Sequence, residues 1–499
     1  MDMFKTALMA VTALAAGSVA AEVKLATPFN DGMVLQRDAK VRVWGTADAG
    51  EKVTVVFGDV TVGAVADAHG KWLAELPPMP ACKTGRTLAV NHLRVSDVLV
   101  GEVWMCAGQS NTDCPVWGNR PRYRDGWGAM MLLTTDKPFV RLVKTPLVMS
   151  AEPRYGYRAQ WMKMTPELFK DCEKGARMPS AMGYYFALEL ANALDIPVGL
   201  VDSSWGGTNI DAWTPRCGYD GIAGFDVERD WKCVSQNDWK KEMARGPISR
   251  AVNQPRVLWN GMVAAYVPMS MRGFIWYQGC SNAGEWKRYT NKMHALYNGW
   301  SKEFRNPELS LYFVQLAPWG RQGIENIQMA QAKFAAEEKN AAMAVINDVG
   351  NLSDIHPNDK RTVAKRLSLH ALKRNYGWHW VRNESPTLKS WRIQDGKFEL
   401  SFNDAQGWYV YNPDRSVKTG FEICGADGKW VPAKIVNLVA SKARDNTTVY
   451  RGEVEGKTLI VAADGVAEPK KLRYLHSAPW FGAVYNEACL PLGAFRIGD

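Results

Sequence analysis

Between Val98 and about Trp380 the chain repeats one arrangement five times: a short apolar run, then polar or glycine-rich residues, then a helical pattern or an irregular stretch leading to one. The runs are 98–106, 196–201, 273–277, 309–316 and 342–346. Runs of this length cannot span as helices, and continuous rather than alternating apolarity marks strands covered on both faces. Strands joined by helical crossovers form a parallel sheet. The pattern therefore predicts an α/β fold, a three-layer α/β/α domain with a five-stranded parallel sheet. In such a sheet the carboxyl ends of all strands open on one edge, so the residues after each run converge although they lie far apart in sequence.

The chain has 499 residues, more than one ordinary core accommodates. Residues 22–97 and 383–499 carry short strand patterns with turn signals such as Asn30-Asp31-Gly32 and Asp427-Gly428, and each segment predicts a β-sandwich-like module flanking the α/β domain at 98–382. Lys5, the apolar segment after it and the small residues Ser18 to Ala21 read as a signal peptide, residues 1–21, which predicts a periplasmic or extracellular location. No other run is long enough for a membrane span. The net charge of +10 is spread along the chain without a basic aromatic motif, which speaks against nucleic acid as a partner. Nine cysteines in an exported chain permit disulfides, and Cys172, Cys217 and Cys233 share one loop-rich region. The absence of any C-x-x-C pair argues against a structural zinc site.

Ser110 directly follows the first run, at the edge where the loops converge. Nucleophilic catalysis by serine requires a base, a group to orient it, and donors for the oxyanion. Among seven histidines, His356 follows a candidate parallel strand and stands between Asp354 and Pro357, whereas the others fall in the β modules or in and beside helices. Ser110 is thus the candidate nucleophile, His356 the base and Asp354 its orienter, with Asp348 in reserve and a backbone carbonyl as the remaining option. Gly206-Gly207 permits close backbone approach to a ligand. Gln278 and Asn282 carry uncharged amide donors, and one of them with the N–H groups of Ser110 and Gly207 makes a three-donor oxyanion hole. Gln109, Asn111, Trp205 and Trp319 are the expected substrate contacts, and Trp117, Trp127 and Trp213 sit in loops directed toward the same edge. Aromatic faces suit sugar rings. Arg120, Arg122, Arg124, Arg154 and Arg158 read first as a solvated, loop-stabilising set and second as partners for a sugar carboxylate.

Four ordered blocks carry a resemblance: Gly108-Gln109-Ser110-Asn111, Trp205-Gly206-Gly207-Thr208, Trp276-Tyr277-Gln278-Gly279 with Asn282, and Asp354-Ile355-His356-Pro357. Together with 31–36 and 98–104 they resemble the sialate O-acetylesterases, members of the SGNH or GDSL-type hydrolases, over nearly the whole mature chain. The resemblance implies an SGNH hydrolase domain with β modules and a serine esterase that removes O-acetyl groups from carbohydrates, above all from O-acetylated sialic acids, through an acetyl-enzyme. It implies no metal and no cofactor. It assigns Ser110 as nucleophile, His356 as base, and Gly207 with Gln278 or Asn282 as oxyanion donors. The chain departs from the family in having Thr112 for Met, Cys280 for Glu, and Asp354 two rather than three residues before the histidine. An acetylated xylan or other plant glycan is the alternative substrate, and a glycan-binding protein without catalysis is the alternative class.

Overall fold

The computed structural model describes residues 23–116, 134–156, 158–173, 178–226, 251–319, 323–350, 353–411, 419–442, 448–452, 456–476 and 484–498. The expected signal peptide, Trp117, Trp127, Arg120, Arg122, Arg124 and Cys233 lie outside the described residues.

A large mixed sheet organises the molecule. Its main path contains β1 (Leu93–Gly108), β2 (Lys137–Lys144), β3 (Trp161–Met164), β4 (Val198–Ser204), β5 (Gly273–Tyr277), β6 (Ser310–Val314) and β7 (Ala341–Ala344), in the order β3–β2–β4–β1–β5–β6–β7. Every neighbouring pair is parallel except β3 with β2, so six strands run parallel where the sequence patterns predict five. The additional strand, β2, lies in the stretch expected to be irregular. Its segment carries Pro138 and three basic residues, which mimic a loop. Pro138 is tolerated near the strand's start, and the buried Arg141 guanidinium is paired with Asp97 at 3.0 Å.

From β1 the chain builds outward to β2 and β4, then returns to place β5, β6 and β7 on the other side. β1 therefore stands where the strand order reverses, which leaves a crevice at the carboxyl ends of the strands. The helices that matter here are α1 (Ser110–Asp113), α2 (Ala181–Leu194), α3 (Trp286–Glu303), α4 (Ile324–Glu337) and α5 (Lys360–Arg374). α2 packs on α5, and α3 packs on α4. Right-handed crossovers put α3 and α4 on the face opposite α2. Ser180 caps α2 by accepting the Gly183 N–H, and Asp359 caps α5 by accepting the Thr362 N–H. The helix expected near Val257 to Ala265 is instead a π-helical turn at Trp259–Val263 followed by a 3-10 turn.

The leading strands are built onto the same spine. Strands Val34–Gln36 and Cys82–Val90 pair with β1 up to Gly101, whereas pairing with the rest of the parallel sheet begins at Glu102. One buried apolar cluster accordingly runs from Val23 through the parallel sheet to Leu372. The C-terminal strands form three four-stranded sheets around a second cluster, from Phe398 to Ile497.

Glu102 sits at the changeover and is fully buried, at 0% exposure. It accepts from Arg37 Nε at 2.6 Å, Gln36 Nε2 at 3.1 Å, and Arg272 Nε and Nη2 at 2.9 and 3.1 Å. Burial pushes its pKa up, but the hydrogen bonds and charge of Arg272, with those of Arg37, outweigh this and hold it below the ordinary carboxylate value. Removing one side of such a cluster strands the opposite charges. Glu102→Ala is therefore expected to lower the unfolding free energy by about 3–5 kcal/mol, measured by urea denaturation at neutral pH. Because the folded pKa is lowered, the wild-type advantage is complete above the unfolded carboxylate pKa and is lost as pH falls through the folded one. A loss below about 1 kcal/mol, the range of exposed pairs, would contradict this role.

Cys217 is a free thiol that donates to the Glu303 carboxylate at 3.3 Å, so it forms no bridge in the loop-rich region; the side chain of Cys172 lies outside the described residues. Among the described residues no helix is long and apolar enough to cross a membrane.

Candidate active site

β1 delivers its carboxyl end to the crevice through a tight turn. Gly108 has φ +139°, and a Cβ there would lie 2.5 Å from the Tyr277 carbonyl oxygen and 2.6 Å from the Thr112 hydroxyl, so only glycine fits. The Gln109 N–H and the Thr112 hydroxyl both donate to that carbonyl, at 3.1 and 3.0 Å. Thr112 thus hydrogen-bonds the turn to β5. Ser110 follows as the first residue of α1, partly exposed.

His356 meets it from the loop after β7. Its Nε2 lies 2.9 Å from Ser110 Oγ, although 246 residues separate them. Its Nδ1 lies 3.0 Å from Asp354 Oδ1, and the same oxygen accepts the backbone N–H of His356 at 3.0 Å. That double acceptance explains the spacing of two residues: an Asx-type turn brings the carboxylate to the histidine's own backbone and ring together. A carboxylate only accepts, so Nδ1 carries the hydrogen and Nε2 presents its lone pair to the Ser110 hydroxyl. The His356 and Asp354 side chains are 14% and 23% exposed. Asp348, the reserve orienter, is instead committed to Arg366 through two contacts of 2.6 and 2.7 Å.

The loop after β4 closes the other side. A Cβ on Gly206 would stand 3.3 Å from Ser110 Cβ, so Gly206 permits the close approach, while the exposed Gly207 makes the turn at φ +76°. Among the described residues, no backbone hydrogen bond takes up the N–H of Ser110 or of Gly207. The turn is pinned by Asn253, which donates to the Gly207 carbonyl at 3.1 Å and accepts the Asn209 N–H at 2.6 Å. Sequence reasoning passes over Asn253, because a tertiary bond across 46 residues leaves no local pattern.

Gln278 and Asn282 do not act as expected. Gln278 Nε2 spends its hydrogens on the Thr208 carbonyl at 3.0 Å and Asn282 Oδ1 at 2.7 Å. Asn282 donates to Glu285 at 2.9 Å, and its oxygen also accepts the Ile210 N–H at 3.0 Å. Both side chains are completely buried, which withholds them from a bound oxygen. They hold the loop that carries Gly206 and Gly207. Burial pushes the Glu285 pKa up, but the Lys292 ammonium at 2.8 Å outweighs it and holds Glu285 below the ordinary carboxylate value. This short turn therefore keeps an ionised carboxylate although it has Cys280, a partly buried cysteine outside any disulfide, in place of glutamate.

Gln109 and Asn111 are likewise structural. They are 3% and 1% exposed. The Gln109 amide oxygen accepts the Gly279 N–H at 3.1 Å, and Asn111 Nδ2 donates to the Ile355 carbonyl at 3.0 Å. Trp213 is a core residue, its indole N–H donating to the Thr208 hydroxyl at 3.0 Å. Trp205 and Trp319 are half-buried and packed against the core. Arg154 and Arg158 are exposed. Beneath α1 the Lys144 side chain, 5% exposed, donates to Asp113 at 3.0 Å and to Asp202 at 2.7 Å, which fixes the short helix that begins at Ser110 to β2 and β4. A cavity of about 670 Å³ opens at the opposite edge of the sheet, lined by residues such as Arg42, Arg272, Ser310 and Asn375, far from the paired Ser110 and His356.

Residues 100–368 match the model of a carbohydrate esterase family, described as sialic acid-specific acetylesterase. Similar proteins include the sialate O-acetylesterases of Homo sapiens, 29% identical over 84% of this chain and 84% of that one, and of Rattus norvegicus, 29% identical over 83% and 84%. A solved structure of a carbohydrate acetylesterase from Xanthomonas citri superposes with a TM-score of 0.77 at 28% identity, covering 95% of this chain and 99% of that one. With more than half of its length matched by that model, the chain belongs to the family of sialic acid-specific carbohydrate acetylesterases.

Proposed function

We propose that this esterase, which removes O-acetyl groups from carbohydrates, works through Ser110 as nucleophile and His356 as general base, with O-acetylated sialic acid as substrate. The observation that carries the mechanism is the run of contacts Ser110 Oγ to His356 Nε2 at 2.9 Å and His356 Nδ1 to Asp354 at 3.0 Å. His356 takes the Ser110 proton as Oγ attacks the acetyl carbonyl carbon. The negative charge that forms on the carbonyl oxygen meets the backbone N–H groups of Ser110 and Gly207, each worth roughly 3 kcal/mol in the transition state. Asp354 steadies the imidazolium. The sugar oxygen then leaves with the proton from His356, and water attacks the acetyl-enzyme by the same route, releasing acetate and restoring Ser110. Trp205 and Trp319, half-buried, are of the residue type that suits the apolar face of a pyranose. On this reading residues 98–382 form the catalytic domain between two β modules, and residues 1–21 direct export.

The substrate is tested with a panel of defined acetyl esters. Acetate release from O-acetylated N-acetylneuraminic acid, with no measurable release from acetylxylan, is the expected result. The reverse preference would assign a plant glycan, and retention on an immobilised glycan without acetate release from any ester would assign a binding protein.

A further inference from the structure

We infer that Lys360 is a positioning residue that keeps nucleophile and base at reacting distance; this rests on the roles proposed above for Ser110 and His356. The two arrive from β1 and β7, which are three strand spacings apart, about 14 Å. The loop after β7 must therefore reach back across the ends of β6 and β5, and something must hold it there. Lys360 is buried at 2% exposure. Its ammonium donates to Asn111 Oδ1 at 2.8 Å and to the Pro357 carbonyl, and it lies 5.9 Å from the centre of the Tyr277 ring. Asn111 also donates through Nδ2 to the Ile355 carbonyl at 3.0 Å. Asn111 follows the nucleophile, while Ile355 and Pro357 flank the base. Three hydrogen bonds thus clasp both neighbours of His356 to one neighbour of Ser110, above the ring of the intervening strand.

Helix formation does not call for lysine at this position. A cation in the first turn opposes the helix dipole. Burying an ammonium is costly unless its hydrogens are accepted. Lys360 nevertheless opens α5, whose cap Asp359 fixes the start of the helix. The clasp is therefore anchored to a fifteen-residue helix rather than to a loop alone. A displacement of 1 Å between reacting groups is enough to cost a factor of about 100 in rate.

The test compares Lys360→Met, Asn111→Leu and the double variant in the whole protein. Active sites are counted by stoichiometric labelling of Ser110 with a phosphonate ester, so that misfolded protein does not enter the rate. Each single variant is expected to lose about 100-fold in kcat per labelled site on nitrophenyl acetate, with KM within about twofold of wild type. The double variant is expected to lose no more than the worse single one, because both break one clasp. A kcat per site within about threefold of wild type for either folded single variant overturns the inference, as does a double variant in which the two losses multiply. A role in stability alone would lower the melting temperature and leave kcat per site unchanged. Wild-type turnover in Ser110→Ala would instead overturn the underlying assignment of the reacting pair.

Discussion

Replacing Ser110 by Ala should lower kcat on an O-acetylated sugar by about 10⁶-fold while leaving KM and the melting temperature near wild type. The substitution removes one partly exposed oxygen and nothing else. Gly108, Thr112 and Gln109 continue to shape the turn through Tyr277, none of them using the Ser110 hydroxyl. The two backbone N–H groups also stay in place, so the residual rate measures their contribution without the covalent route. Mass spectrometry supplies a second readout: rapid quenching should trap an acetyl group on Ser110 of the wild type and none on the variant. Turnover within about tenfold of wild type would refute the nucleophile assignment.

The second large effect belongs to Asp354. Asp354→Ala is expected to lower kcat by about 10⁴-fold, with little change in KM. One oxygen of this carboxylate holds both the backbone N–H and the ring of His356, so its removal frees the loop as well as the imidazole. It also removes the charge that stabilises the imidazolium, and Nδ1 no longer has a partner that selects the productive tautomer. Asp348→Ala provides the contrast. It breaks the ion pair with Arg366 and should weaken stability, yet kcat per folded molecule should stay near wild type. Equal losses in kcat for the two variants would remove Asp354 from its assigned place.

Much of this site is readable in the sequence because its hydrogen-bonded pair sits where apolar runs end. Ser110 and His356 each follow such a run, and parallel strands bring those ends together. Position alone separates His356 from the other six histidines, and the resemblance in four blocks agrees with that choice. What cannot be read is which polar side chains face the cleft and which face the protein. Gln109 and Asn111 adjoin Ser110 in sequence, but the turn into α1 directs both inward, where they bind backbone groups of other loops. Gln278 and Asn282 mislead for the same reason, since an amide that holds a loop looks in sequence like an amide that holds a substrate. Lys144, Asn253 and Lys360 leave no mark, because each binds a partner on a distant strand or loop. β2 is hidden by Pro138 and its basic residues, whose accommodation depends on where the strand starts and on Asp97.

The sixteen residues of β1 serve two sets of partner strands along one backbone. Severing the chain before Val98 would strip partners from the strand that ends beside Ser110, so the leading segment cannot be trimmed or exchanged without loosening the Ser110 turn. The trailing strands gather around an interior of their own and meet the parallel sheet from outside, as where Asn347 donates to the Leu492 carbonyl at 3.0 Å, so exchanging them would disturb its margin rather than its spine.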